Sequence, residues 1–515
     1  LWIPKPEYSD EEPRAGSNRL FVLGLALPAS PGKLYRLESI PQPFHGRIII
    51  MPQSSDKTVL QQVQSGALMR GLGLAATGMR MSARLSSYSL ESLFTFGDQR
   101  RERRRRMFAE QARMLVDELG RLKGSVMKIG QLLALYGDYF LLPPEVVEVL
   151  RTLQDDSPPL AWAALEPVLR AELGAERLAE LEVDPEPLAA ASLGQVHRAR
   201  RRIDARELCI KIQYPGVAEA VDSDLDTVGM LLMFSRLLPA GFKLQDLLAE
   251  VRGMLHREVD YRQELAAVRQ FRELLAGGDR YRVPEPFPAY STRRVLALSY
   301  EPGLTVEGSE VQSLSQPQRN ALGEAALDLF LREFFEWGLV QTDPHFGNYR
   351  VQFDPTRNRP RLVLLDFGAV RHFSDAFLCA YYEMVRGAFW KDKERLRRAA
   401  VALNFLPDSA SASAVDSLAA MCGLIVEPFE APDAEGPGRN WRNDSGEYRW
   451  GASDLPKRVA LAASKASLSV SFRVPPKEFL FLHRKLGGVF VLLAELNAEL
   501  TAYPLLRRYM GEPLR

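Results

Sequence analysis

Two acidic loops, separated by a short predicted hairpin, constrain this 515-residue chain more tightly than any other feature. The first reads Asp343-Pro-His-Phe-Gly-Asn348, with the aspartate and asparagine five positions apart. The second reads Leu365-Asp366-Phe367-Gly368 and follows a short strand pattern, Arg361 to Leu365, so Asp366 stands at a strand end. Tyr349 to Phe353 reads as the partner strand, and Asp354 to Pro360 as the turn between them. Phosphoryl transfer needs hard oxygen ligands for Mg²⁺ and a carboxylate near the attacking oxygen, and these loops carry both. An isolated Asp-Phe-Gly is more often an ordinary turn; its coupling to Asp-x4-Asn across a hairpin gives it weight.

Protein kinases combine the same two loops and the same hairpin. That pattern asks for a lysine on a strand and a glutamate on a helix. Leu208, Ile210 and Ile212 alternate with Cys209, Lys211 and Gln213, which is strand periodicity. Lys211 is then the candidate for the α- and β-phosphates. An edge-strand lysine facing water fits the same alternation. Glu264 is the candidate partner, on a helical stretch from Arg257 to Phe271, with Glu258 and Asp260 on or near that helix. A solvated helix face is the plainer reading of these carboxylates. Cys209 shares a strand face with Lys211 and is expected to line the nucleotide pocket; a buried inert thiol suits the same position.

The fold class expected is α+β rather than a doubly wound sheet. Residues 1–57 are rich in Pro, Gly and Ser and read as a leader, with Met51 an alternative start. Residues 58–157 read as a helical extension, in which Leu122, Val126, Ile129 and Leu133 make one apolar face. Residues 158–302 hold strands with inserted helices, and 303–515 are mostly helical. Residues 217–276 and 316–338 are read as helix. A net charge of +1 points to neither a nucleic-acid binder nor an acidic tail protein. The three cysteines form no CxxC pair and the six histidines no HExxH pattern, so neither a disulfide framework nor a zinc site is expected. No run of 18 apolar residues suggests a transmembrane helix.

Several further segments make a specific family resemblance. Lys128-Ile-Gly-Gln131 resembles the KxGQ signature of the AarF/UbiB family of atypical kinases. Ala189-Ala190-Ala191-Ser192 is similar to that family's alanine-rich loop, Glu258-Val-Asp260 to its ExD motif, and His483-Arg-Lys-Leu-Gly-Gly to a helix near its C-terminus. Glu264 then falls where the family has its lysine-pairing glutamate. The resemblance covers roughly residues 110–500 and implies a bilobal protein-kinase-like fold with the N-terminal helical extension packed over the active site. It implies Asp343, Lys211 and Glu264 as catalytic residues, and Asn348 and Asp366 as ligands of Mg²⁺. It implies that Ala189, Ala190, Ala191, Ser192, Lys211 and Cys209 bind ATP or ADP, and that Lys128, Gln131, Glu258 and Asp260 are regulatory. Lys128 and Gln131 lie at i and i+3 and share a helix face, although an exposed polar stripe would look the same. Alanine in place of glycine restricts the loop backbone and alters its approach to phosphates.

The same resemblance implies an ATPase or atypical kinase in ubiquinone or other isoprenoid-lipid metabolism. The alternative is a nucleotide-binding pseudokinase scaffold without turnover. A missing APE-type segment after Asp-Phe-Gly argues against a protein substrate. The partners implied are an anionic membrane lipid or quinone precursor and quinone-biosynthesis proteins. Arg100 to Arg106 holds six arginines, near an apolar stretch from Ala67 to Met81 too short to span a bilayer. The two fit an interfacial helix on anionic lipid, or a solvated basic helix; without interleaved aromatics, nucleic acid is not expected. The expected location is cytoplasmic, peripheral on a bacterial inner membrane. His345 is expected to shape its loop rather than to exchange protons.

Overall fold

The computed structural model describes residues 49–50, 125–137, 142, 146–147, 150, 159–234, 238, 242–354, 359–467 and 476–512. The leader apart from 49–50, the apolar stretch at 67–81, the basic run at 100–106 and the start of the helical extension lie outside the described residues.

The N-terminal half is built on an antiparallel sheet of order β1-β2-β3-β4-β6, comprising Ile49–Ile50, Leu181–Ala190, Gly194–Arg201, Glu207–Gln213 and Val295–Ser299. The fourth strand is an interior one, with Lys211 opposite Val196 on one side and Leu296 on the other. Leu208, Ile210 and Ile212 are fully buried on one face, which leaves Cys209 and Lys211 on the other, as the alternation requires. The first long strand, Leu181–Ala190, escapes the sequence reading for a physical reason. Pro185 and Pro187 cannot donate to a ladder, and the pairing between Leu181–Ala190 and Gly194–Arg201 shifts register around Pro187.

The stretch 217–276, read as continuous helix, is three helices: α3 (Val217–Phe234), α4 (Leu244–Glu258) and α5 (Tyr261–Leu274), following α1 (Ser125–Gly137) and α2 (Trp162–Ala179). The break at Val259 and Asp260 separates Glu258 from Glu264. Asp260 is extended, and its side chain accepts from Arg262 N to cap α5. Such a cap contributes about 1 kcal/mol. Tyr261, Glu264, Val268 and Phe271 then recur on the buried face of α5. The extension helix α1 buries Val126, Ile129 and Leu133 against α3 and α4.

In the second half, α6 (Gln316–Arg332) ends in a π-turn, Glu333–Trp337, and Gly338 turns the chain at φ 59°. Read as helix to 338, the segment stops earlier because Gly338 adopts the left-handed conformation that ends helices. A three-stranded sheet of order β5-β9-β8 (Tyr281–Arg282, Arg359–Leu364, Tyr349–Asp354) holds the predicted hairpin. A short ladder pairs β7 (Leu339–Gln341) with β10 (Val370–His372). Helices α7 (Asp375–Phe389), α8 (Lys393–Ala402), α9 (Ala412–Val426), α10 (Leu455–Ser467), α11 (Lys477–Glu495) and α12 (Tyr503–Met510) complete this lobe. Only Ala412–Phe429, among the described residues, is long and apolar enough to cross a membrane; half of it is buried in the lobe, as in a core helix. The α+β two-lobed arrangement is the one expected.

Helix α11 passes so close to the Asp343 loop that a Cβ on Gly488 would collide with the Pro344 ring. Gly488→Val is expected to destabilise the protein by about 2 kcal/mol, as overpacking does, read as a lower midpoint in urea denaturation. An unchanged midpoint would show that the helix and loop do not press together.

Candidate active site

Four segments meet around a cavity of about 450 Å³ between the lobes. From β4, the Lys211 ammonium reaches Glu264 Oε2 on α5 at 2.8 Å and Asp366 Oδ2 at 3.9 Å. Burial alone would pull Lys211 down; Glu264 and then Asp366 outweigh it and hold the group above the ordinary lysine value. Glu264 is only 5% exposed, so its charge depends on that partner. The Tyr261 ring, one turn earlier, lies under the ammonium at 5.0 Å.

The two acidic loops leave opposite strands of the β7–β10 ladder, which is why they end side by side. Gln341 ties them together: its Oε1 accepts from Asp343 N at 3.0 Å and its Nε2 donates to Asp366 O at 3.3 Å. Thr342 N and Oγ1 both donate to Ala369 O. Asn348 Nδ2 donates to Asp343 Oδ2 at 3.1 Å. Gly368 N donates to Asp366 Oδ1 at 2.8 Å, and Phe367 packs on Phe271 of α5 with ring centroids 5.1 Å apart. His345 Nδ1 accepts from Gly347 N, so this side chain shapes the loop, as expected.

The remaining oxygen of Asp343 is taken by Arg484 of α11 at 2.7 Å. Burial would raise the Asp343 carboxyl, but Arg484 first, then His345 and Lys128, hold it below the ordinary aspartate value. Behind this contact, Lys485 pairs with Glu333 at 3.2 Å, both nearly inaccessible; burial lifts the Glu333 carboxyl to about 7.

The extension helix closes the mouth. Lys128 binds Glu258 at 2.6 Å, Ser192 Oγ donates to the same carboxylate oxygen at 3.5 Å, and Gln131 also lines the cavity. Further along α1, Tyr136 donates to Glu250 of α4 and packs edge-on to Phe481 of α11 at 5.7 Å. The alanine-rich segment is the end of β2 and its turn, with Ala191 N donating to Gly194 O at 2.8 Å. Ala189, Ala191 and Ser192 line the cavity, whereas Ala190 does not. Cys209 lines it too, and burial pushes its thiol up to about 12, so it is a neutral wall rather than a nucleophile. Asp260 stands apart from the other motif residues as a helix cap bound to Arg262.

The sequence assigns no role to Gln341, or to Arg484 within His483-Arg-Lys-Leu-Gly-Gly. A polar residue just before the Asp343 loop was the available signal for the first. A cation on the glycine-bearing face of a helix was the signal for the second.

The ABC1 atypical kinase-like domain matches residues 152–400. The rat protein "Atypical kinase COQ8B, mitochondrial" is 32% identical over 455 residues, 87% of this chain and 81% of the rat protein. The chain belongs to the ABC1, or AarF/UbiB, family of atypical kinases. Another member, COQ8 of Saccharomyces cerevisiae, is 31% identical over 442 residues, covering 84% of this chain and 81% of the yeast one. COQ8 of Schizosaccharomyces pombe is 33% identical over 389 residues, and there the match spans 60% of the relative's length. A solved structure of Rv3197 with erythromycin, from Mycobacterium tuberculosis, superposes with a TM-score of 0.55 at 25% identity, covering 77% of this chain and 95% of that one.

Two predictions follow from this ABC1-family geometry. Lys211→Met leaves Glu264 buried without a counter-charge and is expected to cost about 3 kcal/mol in denaturant unfolding. Adding Glu264→Leu should recover most of that loss; no recovery would mean the pair is not formed. The second concerns pH. A carboxyl depressed in the folded state favours folding above the ordinary aspartate range, and that contribution is lost as pH falls through the folded value. Arg484→Met should therefore be less stable than the parent by about 1 kcal/mol near neutral pH, with the difference closing below about pH 4. Urea midpoints across pH check this, and a constant difference would rule out the Asp343 contact.

Proposed function

We propose that this chain binds Mg-ATP in the interlobe cleft and acts as an atypical kinase or ATPase supporting ubiquinone or other isoprenoid-lipid metabolism. One observation carries the reading: Lys211, Glu264, Asp343, Asn348 and Asp366, far apart in sequence, line a single cavity. Lys211, fixed by Glu264, neutralises the α- and β-phosphates. Asp343 is placed to orient an attacking hydroxyl or water and to accept its proton once Arg484 releases the oxygen it holds.

The donor set suits magnesium. Asn348 spends its amide N–H on Asp343, which leaves its carbonyl oxygen for a cation, and Asp366 adds a carboxylate. Among the described residues no cluster of three His, Cys, Asp or Glu could hold a metal alone. Mg²⁺ is commonly bound by one or two protein oxygens plus phosphate oxygens and water, so Asn348 and Asp366 suffice. When bound, the ion would neutralise charge on the terminal phosphates.

The substrate class is small or lipid-like rather than protein. Helix α1 covers the cavity mouth through Lys128 and Gln131, and only a short strand, Val370–His372, separates Gly368 from the cap of α7. Leu132, Leu135, Met254 and Phe481 give that mouth an apolar lining. An anionic lipid surface or quinone precursor and quinone-pathway proteins are the proposed partners, with peripheral attachment at a membrane. The names of the COQ8 relatives place those proteins in mitochondria.

A second reading, a nucleotide-binding scaffold without turnover, is favoured by one contact: both oxygens of Asp343 are occupied, by Asn348 and Arg484. Hydrolysis assays with and without anionic vesicles and a phenolic quinone precursor separate the two. Asp366→Asn is expected to weaken Mg-dependent nucleotide binding at least about tenfold and to abolish hydrolysis. Unchanged activity would remove the metal role; tight ADP binding by the parent with no turnover in any condition would leave the scaffold.

A further inference from the structure

Three carboxylates around the cavity mouth are taken. Glu258 binds Lys128, Glu250 binds Lys477 and Tyr136, and Asp343 binds Arg484. Two further arginines, Arg257 of α4 and Arg371 of β10, line the same cavity. Neither makes an ion pair among the described residues. The Arg371 guanidinium lies 3.7 Å from the centroid of the Phe481 ring, so its position is fixed by stacking and not by a carboxylate.

The helices show which end of the cavity this is. Helices α1 and α4 pack together in opposite directions, tied by Lys128–Glu258 at one end and Tyr136–Glu250 at the other. The two ties are eight positions apart on each helix, about 12 Å at ~1.5 Å per residue. The Lys128 end holds Ser192 and the alanine-rich turn. The Tyr136 end holds Phe481 and, on it, Arg371. Along the same length the lining of α1 changes from Lys128 and Gln131 to Leu132 and Leu135. Helical side chains lean toward the N-terminus of their helix, so Arg257 leans from beside Glu258 toward Met254 and the outer end. Burial pulls the Arg371 guanidinium below its ordinary value; Tyr136 opposes this, Arg257 adds to it, and Glu250 opposes it from beyond ion-pair reach. Two cations thus face one another on an apolar wall, an arrangement that an anion relieves.

We infer that the outer end of the cavity is a second subsite, in which Arg257 and Arg371 take the oxyanion head of an amphipathic small molecule while Leu132, Leu135 and Met254 hold its apolar part. The head is a carboxylate or a phosphate monoester, because the planar fork of a guanidinium matches both. The inference rests on the small-molecule reading above and names the chemical class of that molecule. It also separates the site from the triphosphate, which Lys211 meets at the inner end.

Calorimetric titration of the full chain with p-hexylbenzoate, hexyl phosphate, the neutral methyl ester of p-hexylbenzoate and, separately, Mg-ADP tests it. The parent is expected to bind at least one of the two acids about tenfold more tightly than the ester, and the tighter acid names the head. Arg257→Gln and Arg371→Gln are each expected to weaken that acid about tenfold and to leave the ester and Mg-ADP unchanged. Acids bound no more tightly than the ester would overturn the inference, as would variants that bind the acid like the parent. Equal weakening of the acid and Mg-ADP would assign the arginines to the nucleotide and overturn it too. If Arg371→Gln does not fold, the exposed Arg257→Gln decides by the same comparison. A parent that binds the acid through these arginines but no Mg-ADP would end the nucleotide reading and leave this subsite standing.

Discussion

A lysine ammonium buried between lobes has to be neutralised, and the rest of this site is arranged around that requirement. Lys211 lies on an interior strand of the N-terminal sheet, and its carboxylate partner lies on α5, a different layer. Pairing them fixes how α5 sits on the sheet. Asp260 sets where α5 begins, and the four-residue spacing to Glu264 places that carboxylate on the first buried turn. Two turns on, Phe271 supports Phe367, which holds the Asp366 loop against the same helix. Strand, helix and Asp366 loop are thereby one mechanical unit, because disturbing any of them exposes or isolates a charge.

The second set of constraints comes from the two ends of the chain. Helix α1 precedes the four longer strands of the sheet and α11 comes late in the second half, yet they touch through Tyr136 and Phe481. Each also sends a cation to an acidic group of the cavity, Lys128 to Glu258 and Arg484 to Asp343. Gly488 lets α11 come close enough for Arg484 to reach, since any side chain there would strike Pro344. A protein substrate entering from this side would have to displace the whole clamp, whereas a small molecule would not.

Much of this was legible in the sequence because charge and spacing are local signals. The Asp-x4-Asn loop, the hairpin, Asp366 and the alternation around Lys211 all describe residues within one or two elements. The strand Leu181–Ala190 was not legible, because Pro185 and Pro187 read as breakers and only its place near a sheet edge makes them tolerable. Nor was the separation of Glu258 from Glu264, which depends on a cap at Asp260 inside a continuous helical pattern. The contacts of Arg484 with Asp343 and of Gln341 with Asp366 O are set by tertiary approach. No periodicity announces an arginine that meets an aspartate 141 positions away.

The distribution of charge in the cavity bears on how chemistry could begin. Lys128, Lys211 and Arg484 are each bound to a carboxylate, and no ligand is needed to complete those pairs. A nucleotide brings several negative charges and its cation brings positive ones, so the pairs compete with the ligand for the same groups. Lys211 can serve both, because its ammonium has three donors and Glu264 uses one. Asp343 is more constrained: Asn348 binds one oxygen and Arg484 the other, and although each oxygen keeps a second lone pair, the guanidinium makes the carboxylate a weaker base. On the nucleotide reading, breaking the Arg484 contact would therefore make Asp343 a stronger base. An anionic ligand would compete for that guanidinium, so on the same reading the α11 contact is the point where binding and chemistry would be coupled.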